Sequence, residues 1–240
     1  MRDLTAPDRS RAGATIRSQI GLRGVGRAYS GPVRWTVVIP VRAPGKTRLG
    51  RGPEFARAIA LDTIEAALAV ADVVVVTSDP EVADEAAALR AEVVREERPA
   101  GLESAIRAGL PRADRPRAVL LGDLPALRSR TLELALAAAL EHERAFVPDA
   151  DGTGTTLVTA RPGSGFVHRF GPGSARAHRS SRLIELQLPV TSTLRRDVDL
   201  EEHLQQLADR LGARTRAALE SANSGIVESG GGEKPEIPGE

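Results

Sequence analysis

From Trp35 onward, apolar and polar positions follow two alternating grammars. Short aliphatic runs stand at Trp35-Thr-Val-Val-Ile-Pro-Val41, Asp72-Val-Val-Val-Val-Thr-Ser78, Glu92-Val-Val94, Ala118-Val-Leu-Leu121 and Arg144-Ala-Phe-Val-Pro148. Between them apolar residues recur every three or four positions. Phe55, Ile59, Leu61, Ile64 and Leu68 have that spacing within 54–71, which predicts an amphipathic helix. Further helices are expected over 80–91, from the loop at Pro99 to near Pro111, and over 129–143, with Pro80 suited to a first turn. The continuous β-branched run at 72–78 is the pattern of a strand buried on both faces. An alternation of strand and helix predicts an α/β fold, a doubly wound and mostly parallel central sheet with right-handed crossovers and helices on both faces.

After Pro148 the pattern changes. Asp149-Ala-Asp-Gly-Thr-Gly-Thr155 is a small-residue turn opening a strand over 156–159. Phe170-Gly-Pro-Gly-Ser174 is a second such turn, opening a short helix with Arg176, His178 and Arg179. Leu183 to Val190 alternates like a strand, and Leu194-Arg-Arg-Asp-Val-Asp-Leu200 precedes a helix expected over 201–211. Residues 1–33, rich in Arg, Gly, Ser and Ala without a sustained period, read as a disordered leader, 34–220 as one domain, and 221–240 as a disordered tail.

Composition narrows the chemistry. The 240 residues include 33 basic and 32 acidic ones, a balance that argues against a protein that coats nucleic acid while allowing local basic pockets. With no cysteine, thiolate sites are excluded, and a metal must be held by oxygen or by one of four His. A hard cation such as magnesium (Mg2+) is the natural candidate. No apolar run approaches the roughly 18 residues that span a bilayer, and no signal-peptide pattern opens the chain, so no membrane partner and a cytoplasmic location are expected.

The run 118–121 ends at Gly122-Asp123-Leu124-Pro125, which puts a carboxylate at the carboxyl end of a buried strand. In an open α/β sheet that edge binds ligands, so Asp123 either holds a metal-bound phosphate or simply terminates the strand in a turn. Gly45-Lys46-Thr47 invites a P-loop reading, but Pro40 occupies the place of the motif's first glycine and Pro44 lies inside the loop. Proline has no N–H to give a phosphate, so the P-loop is rejected. What remains is a basic loop with Arg42, Lys46 and Arg48, a solvated turn or a triphosphate clamp, and its place after the first strand favours the clamp. The two Gly/Ser/Thr turns suit a carboxylate or phosphate, or are ordinary turns. Asp197 and Asp199 form a second acidic pair, with Asp199 also placed to cap the following helix.

Taken in order, Ile39-Pro-Val-Arg42 with Lys46-Thr-Arg-Leu49, Gly122-Asp-Leu-Pro125, Asp151-Gly-Thr-Gly-Thr155, Phe170-Gly-Pro-Gly-Ser174 through His178-Arg179, and Arg196-Asp-Val-Asp199 resemble the guanylyltransferases of coenzyme F420 biosynthesis. These are small nucleotidyltransferase-fold enzymes that activate 2-phospholactate or phosphoenolpyruvate. The resemblance extends from Trp35 to Leu219 and implies a single nucleotide-diphospho-sugar-transferase-like (Rossmann-like) domain. It implies Asp123, Asp197 and Asp199 as magnesium ligands, and Thr155, Gly171 and Ser174 as binders of the phosphoenolpyruvate carboxylate end. Arg42, Lys46 and Arg48 correspond to the basic nucleotide loop. The Arg-rich, Ala-rich composition looks like that of actinobacterial members, whose expected acceptor is phosphoenolpyruvate. A downstream transferase of the pathway is an implied partner, and a homodimer stays open.

Two positions depart from the family pattern: Arg42 stands where Lys is usual, and Gly101-Leu102-Glu103 where Gly-Leu-Asn is typical. Glu103 either reads guanine, accepting from N1–H and the 2-amino group, or is a helix-start carboxylate facing water. His178 is either a donor to the acceptor phosphate or a histidine on a helix surface. The implied reaction is attack by a phosphate oxygen of phosphoenolpyruvate on the α-phosphorus of GTP. The rival readings are a sugar-phosphate or molybdopterin nucleotidyltransferase on the same fold, a 2-phospholactate or 3-phosphoglycerate acceptor, and a non-catalytic nucleotide-binding regulator.

Overall fold

The computed structural model describes residues 34–42, 51–110 and 114–228. The strands are β1 (Thr36–Val41), β2 (Asp72–Thr77), β3 (Glu92–Arg95), β4 (Arg117–Leu120), β5 (Arg144–Pro148), β6 (Thr155–Ala160) and β7 (Ile184–Glu185). The helices are α1 (Pro53–Leu68), α2 (Pro80–Ala88), α3 (Leu102–Gly109), α4 (Ser129–Ala139), α5 (Ser174–Ser180), α6 (Glu201–Gln206) and α7 (Ala213–Glu228). Among the described residues the strands form one seven-stranded sheet in the order β3-β2-β1-β4-β6-β5-β7. β1 pairs in parallel with β2 and β4, and β2 with β3. β6 is antiparallel to both β4 and β5, so it alone reverses the sheet's direction.

The alternation of side chains along a strand explains the layers. Val37 and Ile39 of β1, with Val73, Val75, Ala118 and Leu120, meet Leu61 and Ile64 of α1, Val82 of α2 and Leu132 and Leu136 of α4. Val38, Val74, Val76 and Val119 point the other way, onto Ala105 and Ile106 of α3. Phe146 and Val158 continue that second face against Ala175 of α5 and Leu183. Both faces are therefore covered, as the unbroken aliphatic runs require. Gly109 lets α3 lie close, because a Cβ there would come within 2.6 Å of the Val38 and Val76 methyls.

α2 starts on Asp79, whose Oδ1 accepts from the N–H groups of Glu81 at 2.9 Å and Val82 at 3.2 Å, with Pro80 in the first turn as expected. Elsewhere the structure corrects the sequence reading. Of the strand expected over 183–190 only Ile184–Glu185 pairs as β7. Leu186 adds one more bond, to Phe146 O at 2.9 Å, and Pro189 then has no N–H to offer. The helix expected over 201–211 divides into α6 and a 3₁₀ turn at Ala208–Arg210. The N-cap residue of α6 is Leu200 rather than Asp199, and the Leu200 side chain makes no cap bond. α7 continues to Glu228, past the boundary drawn at 220. Residues 1–33 and 229–240, read as leader and tail end, lie outside the described residues.

Candidate active site

Strand direction decides what gathers at the sheet's carboxyl edge. β1 to β4 are parallel, so Arg42 after β1, the 96–101 segment after β3 and Gly122-Asp123 after β4 all leave from the same edge. β5 ends there too, at Pro148-Asp149, and the reversed β6 begins there, at Thr155. Leu120 faces Leu157 in the antiparallel ladder, and Leu121 N–H donates to Thr156 O at 3.0 Å, so β6 opens beside the Gly122-Asp123 turn.

The turn is held from several sides. Thr63 of α1, fully buried, accepts from Leu124 N–H at 3.2 Å and lies 3.3 Å from Gly122 O. Val198 N–H donates to Asp123 O at 3.0 Å, which brings the Asp197-Val198-Asp199 segment against the turn. Gly212 N–H donates to Pro125 O at 2.7 Å. Arg195 clamps the same region, giving its guanidinium to Asp149 O at 2.7 and 3.0 Å, to Pro148 O at 3.2 Å and to Leu188 O at 2.9 Å.

Asp123 Oδ1 is sealed from solvent and has no hydrogen-bond partner among the described residues. Burial, and after it the charges of Asp197 and Asp199, push its carboxyl up to about 7. Asp197 rises to about 6, mainly through burial, with Asp149 as the strongest like charge. Three carboxylates in one field with an orphaned oxygen form a site that gains from a cation. The oxygen-only donor set fits a hard divalent ion. Among the described residues no group of three or more His, Asp or Glu is by itself arranged to hold a metal ion.

Beside it, Thr155 and Ser174 are buried and joined, Ser174 Oγ donating to Thr155 Oγ1 at 3.1 Å. Ala175 N–H donates to Thr153 O at 3.1 Å, which docks the start of α5 on the turn before β6. Gly171 has φ +129°, a conformation that favours glycine. Thus Thr155, Gly171 and Ser174 are brought together. His178 departs from both readings of the sequence. It is fully buried, with Nδ1 2.9 Å from Thr155 Oγ1 and Nε2 accepting from Arg169 N–H at 2.8 Å. Burial first, then the charges of His168 and Arg169, hold its pKa down to about 4, so it carries no charge at neutral pH.

Arg42 is exposed at the end of β1, while Lys46 and Arg48 lie outside the described residues. Arg51, just after that loop, pairs with Glu201 of α6 at 2.6 and 2.9 Å and lies over the Phe55 ring at 4.9 Å. Gly101, at φ +93°, is the N-cap residue of α3, and Glu103 is exposed in the first turn, 4.0 Å from Arg107. Sequence reasoning missed Thr63, Arg195 and the place of His178. The available signal for Thr63 was a polar β-branched residue between Leu61 and Ile64 on the apolar side of α1.

An acidic turn at the carboxyl edge of a mostly parallel sheet, with the buried Thr155–Ser174 pair beside it, fits a nucleotidyltransferase. Residues 55–222 match the family model of the MobA-like NTP transferase domain. The crystal structure of a protein assigned as a nucleotide-diphospho-sugar transferase from Desulfovibrio desulfuricans G20 shares the fold, with a TM-score of 0.55 at 20% identity over 82% of this chain and 98% of that one. The phosphoenolpyruvate guanylyltransferase of Streptomyces coelicolor is 45% identical over 202 residues, 77% of this chain and 95% of the relative. That of Thermomonospora curvata is 45% identical over 206 residues, 79% of this chain and 90% of the relative. The chain belongs to the phosphoenolpyruvate guanylyltransferase family of MobA-like NTP transferases. No helix among the described residues is long and apolar enough to cross a membrane.

Proposed function

We propose that the protein transfers GMP from GTP to phosphoenolpyruvate, releasing pyrophosphate and forming enolpyruvyl-diphospho-5′-guanosine, a step that fits coenzyme F420 biosynthesis. The observation that carries this reading is the unpartnered, buried Oδ1 of Asp123, in the field of Asp197 and Asp199 and next to the Thr155–Ser174 pair. The names of the relatives supply the acceptor and the nucleotide.

A phosphate monoester with a second pKa near 6 is largely dianionic at neutral pH, so its oxygen is the nucleophile without a general base. That oxygen bonds to the α-phosphorus while the bond to the oxygen bridging toward the β-phosphorus breaks, and the electron pair leaves with pyrophosphate. The task for the protein is to bring two anions together. One or two of Asp123, Asp197 and Asp199, together with the substrate phosphates, would hold a divalent ion, taken as Mg2+, which would supply charge neutralisation at the phosphates. Thr155, Gly171 and Ser174 orient the carboxylate end of the acceptor. Arg42, with Lys46 and Arg48 of the following loop, offsets triphosphate charge. Gly101 and Glu103 stand at the nucleotide base, where the Glu103 carboxylate accepts from the guanine N1–H and 2-amino groups.

The test is pyrophosphate release from GTP with phosphoenolpyruvate, 2-phospholactate or 3-phosphoglycerate in separate reactions, with and without magnesium, and with Asp123→Ala as control. Release with phosphoenolpyruvate alone, lost in the variant, is expected. Release only with another acceptor moves the substrate, and GTP binding with no release from any acceptor sinks the catalytic reading.

A further inference from the structure

We infer that His178 is a positioning residue for the acceptor: through Thr155 it keeps one hydroxyl hydrogen of the Thr155–Ser174 pair available to the carboxylate of the incoming phospho-acid. The inference rests on the proposed role of Thr155 and Ser174 in acceptor binding. It concerns how those two hydroxyls are made to donate.

The Arg169 backbone N–H can only donate, and it lies 2.8 Å from His178 Nε2, so that nitrogen presents its lone pair. A neutral imidazole with Nε2 unprotonated carries its hydrogen on Nδ1. Nδ1 is 2.9 Å from Thr155 Oγ1 and therefore donates to it. Thr155 and Ser174 have one hydroxyl hydrogen each, and the 3.1 Å bond between them consumes one. The other is left over for a ligand.

The opposite tautomer gives a different count. With Nδ1 as acceptor, the Thr155 hydrogen goes to the ring and the Ser174 hydrogen to Thr155, so none is left. A carboxylate, which only accepts, would then meet oxygen lone pairs. An imidazolium is excluded by the same Arg169 N–H, which would face a second donor. His178 is fully buried at 0% exposure, so no water can take the place of the Arg169 N–H at its ring, whereas Thr155 and Ser174 each keep 3% exposure.

The ring is fixed in orientation as well as in tautomer. It lies 5.4 Å from the Phe146 ring and 5.7 Å from Phe170, the latter edge-on. The low pKa of the buried imidazole supports the same state, since no proton is taken up at Nε2 in the neutral range. His178 thus provides a donor without a positive charge.

Two variants and one spectrum test this. His178→Phe keeps an aromatic ring against Phe146 and Phe170 but removes the donor to Thr155. His178→Asn restores an N–H at the Nδ1 position without reaching Arg169. Phenylalanine leaves the same number of hydroxyl hydrogens but removes the Nδ1–H that fixes how Thr155 Oγ1 is turned, which predicts an acceptor KM raised about tenfold or more in His178→Phe, with the KM for GTP within about twofold, and recovery of most of the loss in His178→Asn. The inference is overturned if folded His178→Phe keeps the acceptor KM, or if both KM values move together and Asn does not rescue. Should His178→Phe not fold, ¹⁵N–¹H correlation of the unaltered protein's imidazoles decides: the Nδ1–H tautomer is expected, and Nε2–H overturns the inference. If the unaltered protein releases no pyrophosphate with any acceptor, the reading of the reaction has failed instead, and the tautomer is still decided by the spectrum.

Discussion

The Thr63 hydroxyl sits between the two peptide groups that flank Asp123, accepting from Leu124 N–H at 3.2 Å and lying 3.3 Å from Gly122 O. Its hydrogen is also directed at Ile59 O, 3.0 Å away on the preceding turn of α1. One buried helix side chain thereby fixes the direction in which β4 delivers its carboxylate. Because Thr63 is fully buried, any influence on the reaction is expected to run through the position of Asp123.

Replacing Thr63 by Val keeps the shape and leaves the Leu124 N–H buried without an acceptor, at a cost of roughly 1–3 kcal/mol. Thr63→Ser keeps the hydroxyl and loses one methyl, near 1 kcal/mol. We expect Thr63→Val to lower kcat and weaken the dependence on divalent cation, and Thr63→Ser to retain both. Denaturant unfolding beside metal titration of activity separates the two effects. If Val and Ser variants are equally active at equal stability, the hydroxyl does not position Asp123.

Asp123 also sets a pH dependence whose sign is fixed. Its carboxyl titrates near the ordinary value of about 3.9 in the unfolded chain but near about 7 when folded. Below that window both states are protonated. Between the two values the unfolded chain releases the proton first, so stability falls as pH rises, and the full cost is present above about 7. At roughly 1.4 kcal/mol per unit, the cost is on the order of a few kcal/mol. In metal-free buffer, Asp123→Asn is expected to melt higher than the unaltered protein at pH 8 and to lose that advantage toward pH 4. Magnesium is expected to raise the melting temperature of the unaltered protein, most strongly above pH 7, and not that of the variant. An equal magnesium response from both would remove Asp123 from the metal site.

Much of this was legible in the chain, and the exceptions have physical causes. The run 72–78 announced a buried strand because four consecutive valines leave no polar face, and β2 follows it nearly residue for residue. Asp123 was legible because a carboxylate directly after a buried strand stands out. The reversal of β6 was not, since an aliphatic run such as Thr156-Leu-Val-Thr159 has the same pattern in either direction. His178 on a short helix with Arg176 and Arg179 reads as exposed, and only the fold of the 153–174 turns around α5 buries it. Thr63 and Asp62 act across 59 and 152 residues of sequence, on Gly122 O and Arg214 N, a separation at which single-chain patterns carry no signal.

Asp62 illustrates that long reach. Its carboxylate on α1 accepts from Arg214 N–H at 3.1 Å and Thr215 N–H at 2.8 Å, capping α7 from another helix. A Cβ at Gly212 would fall on that carboxyl group, so the glycine gives the cap its space. Loss of such a cap costs roughly 1–2 kcal/mol. Asp62→Ala is expected to lower stability by about that amount, and to speed hydrogen exchange at Arg214 and Thr215 more than in β2. Gly212→Ala should do the same by displacing the carboxyl. Exchange that rises equally throughout the sheet would show a global loss rather than a lost cap.

Glu103 offers the sharpest test of nucleotide choice. It stands in the first turn of α3, after Gly101 at φ +93°, and is exposed with Arg107 4.0 Å away. A carboxylate accepts from both N1–H and the 2-amino group of guanine, whereas adenine has no donor at N1 and none at C2. Glutamine keeps the size, provides one acceptor and turns the other position into a donor facing a donor. One mismatched charged pair predicts that Glu103→Gln lowers kcat/KM for GTP about tenfold or more and leaves ATP nearly unchanged, so the GTP over ATP ratio falls by the same factor. The KM of phosphoenolpyruvate is expected to stay put, because Glu103 lies on α3 while the proposed acceptor residues lie on the turns around α5. An unchanged ratio would mean that Glu103 is only a favourable charge at the start of a helix, paired with Arg107, and that guanine is read by other groups.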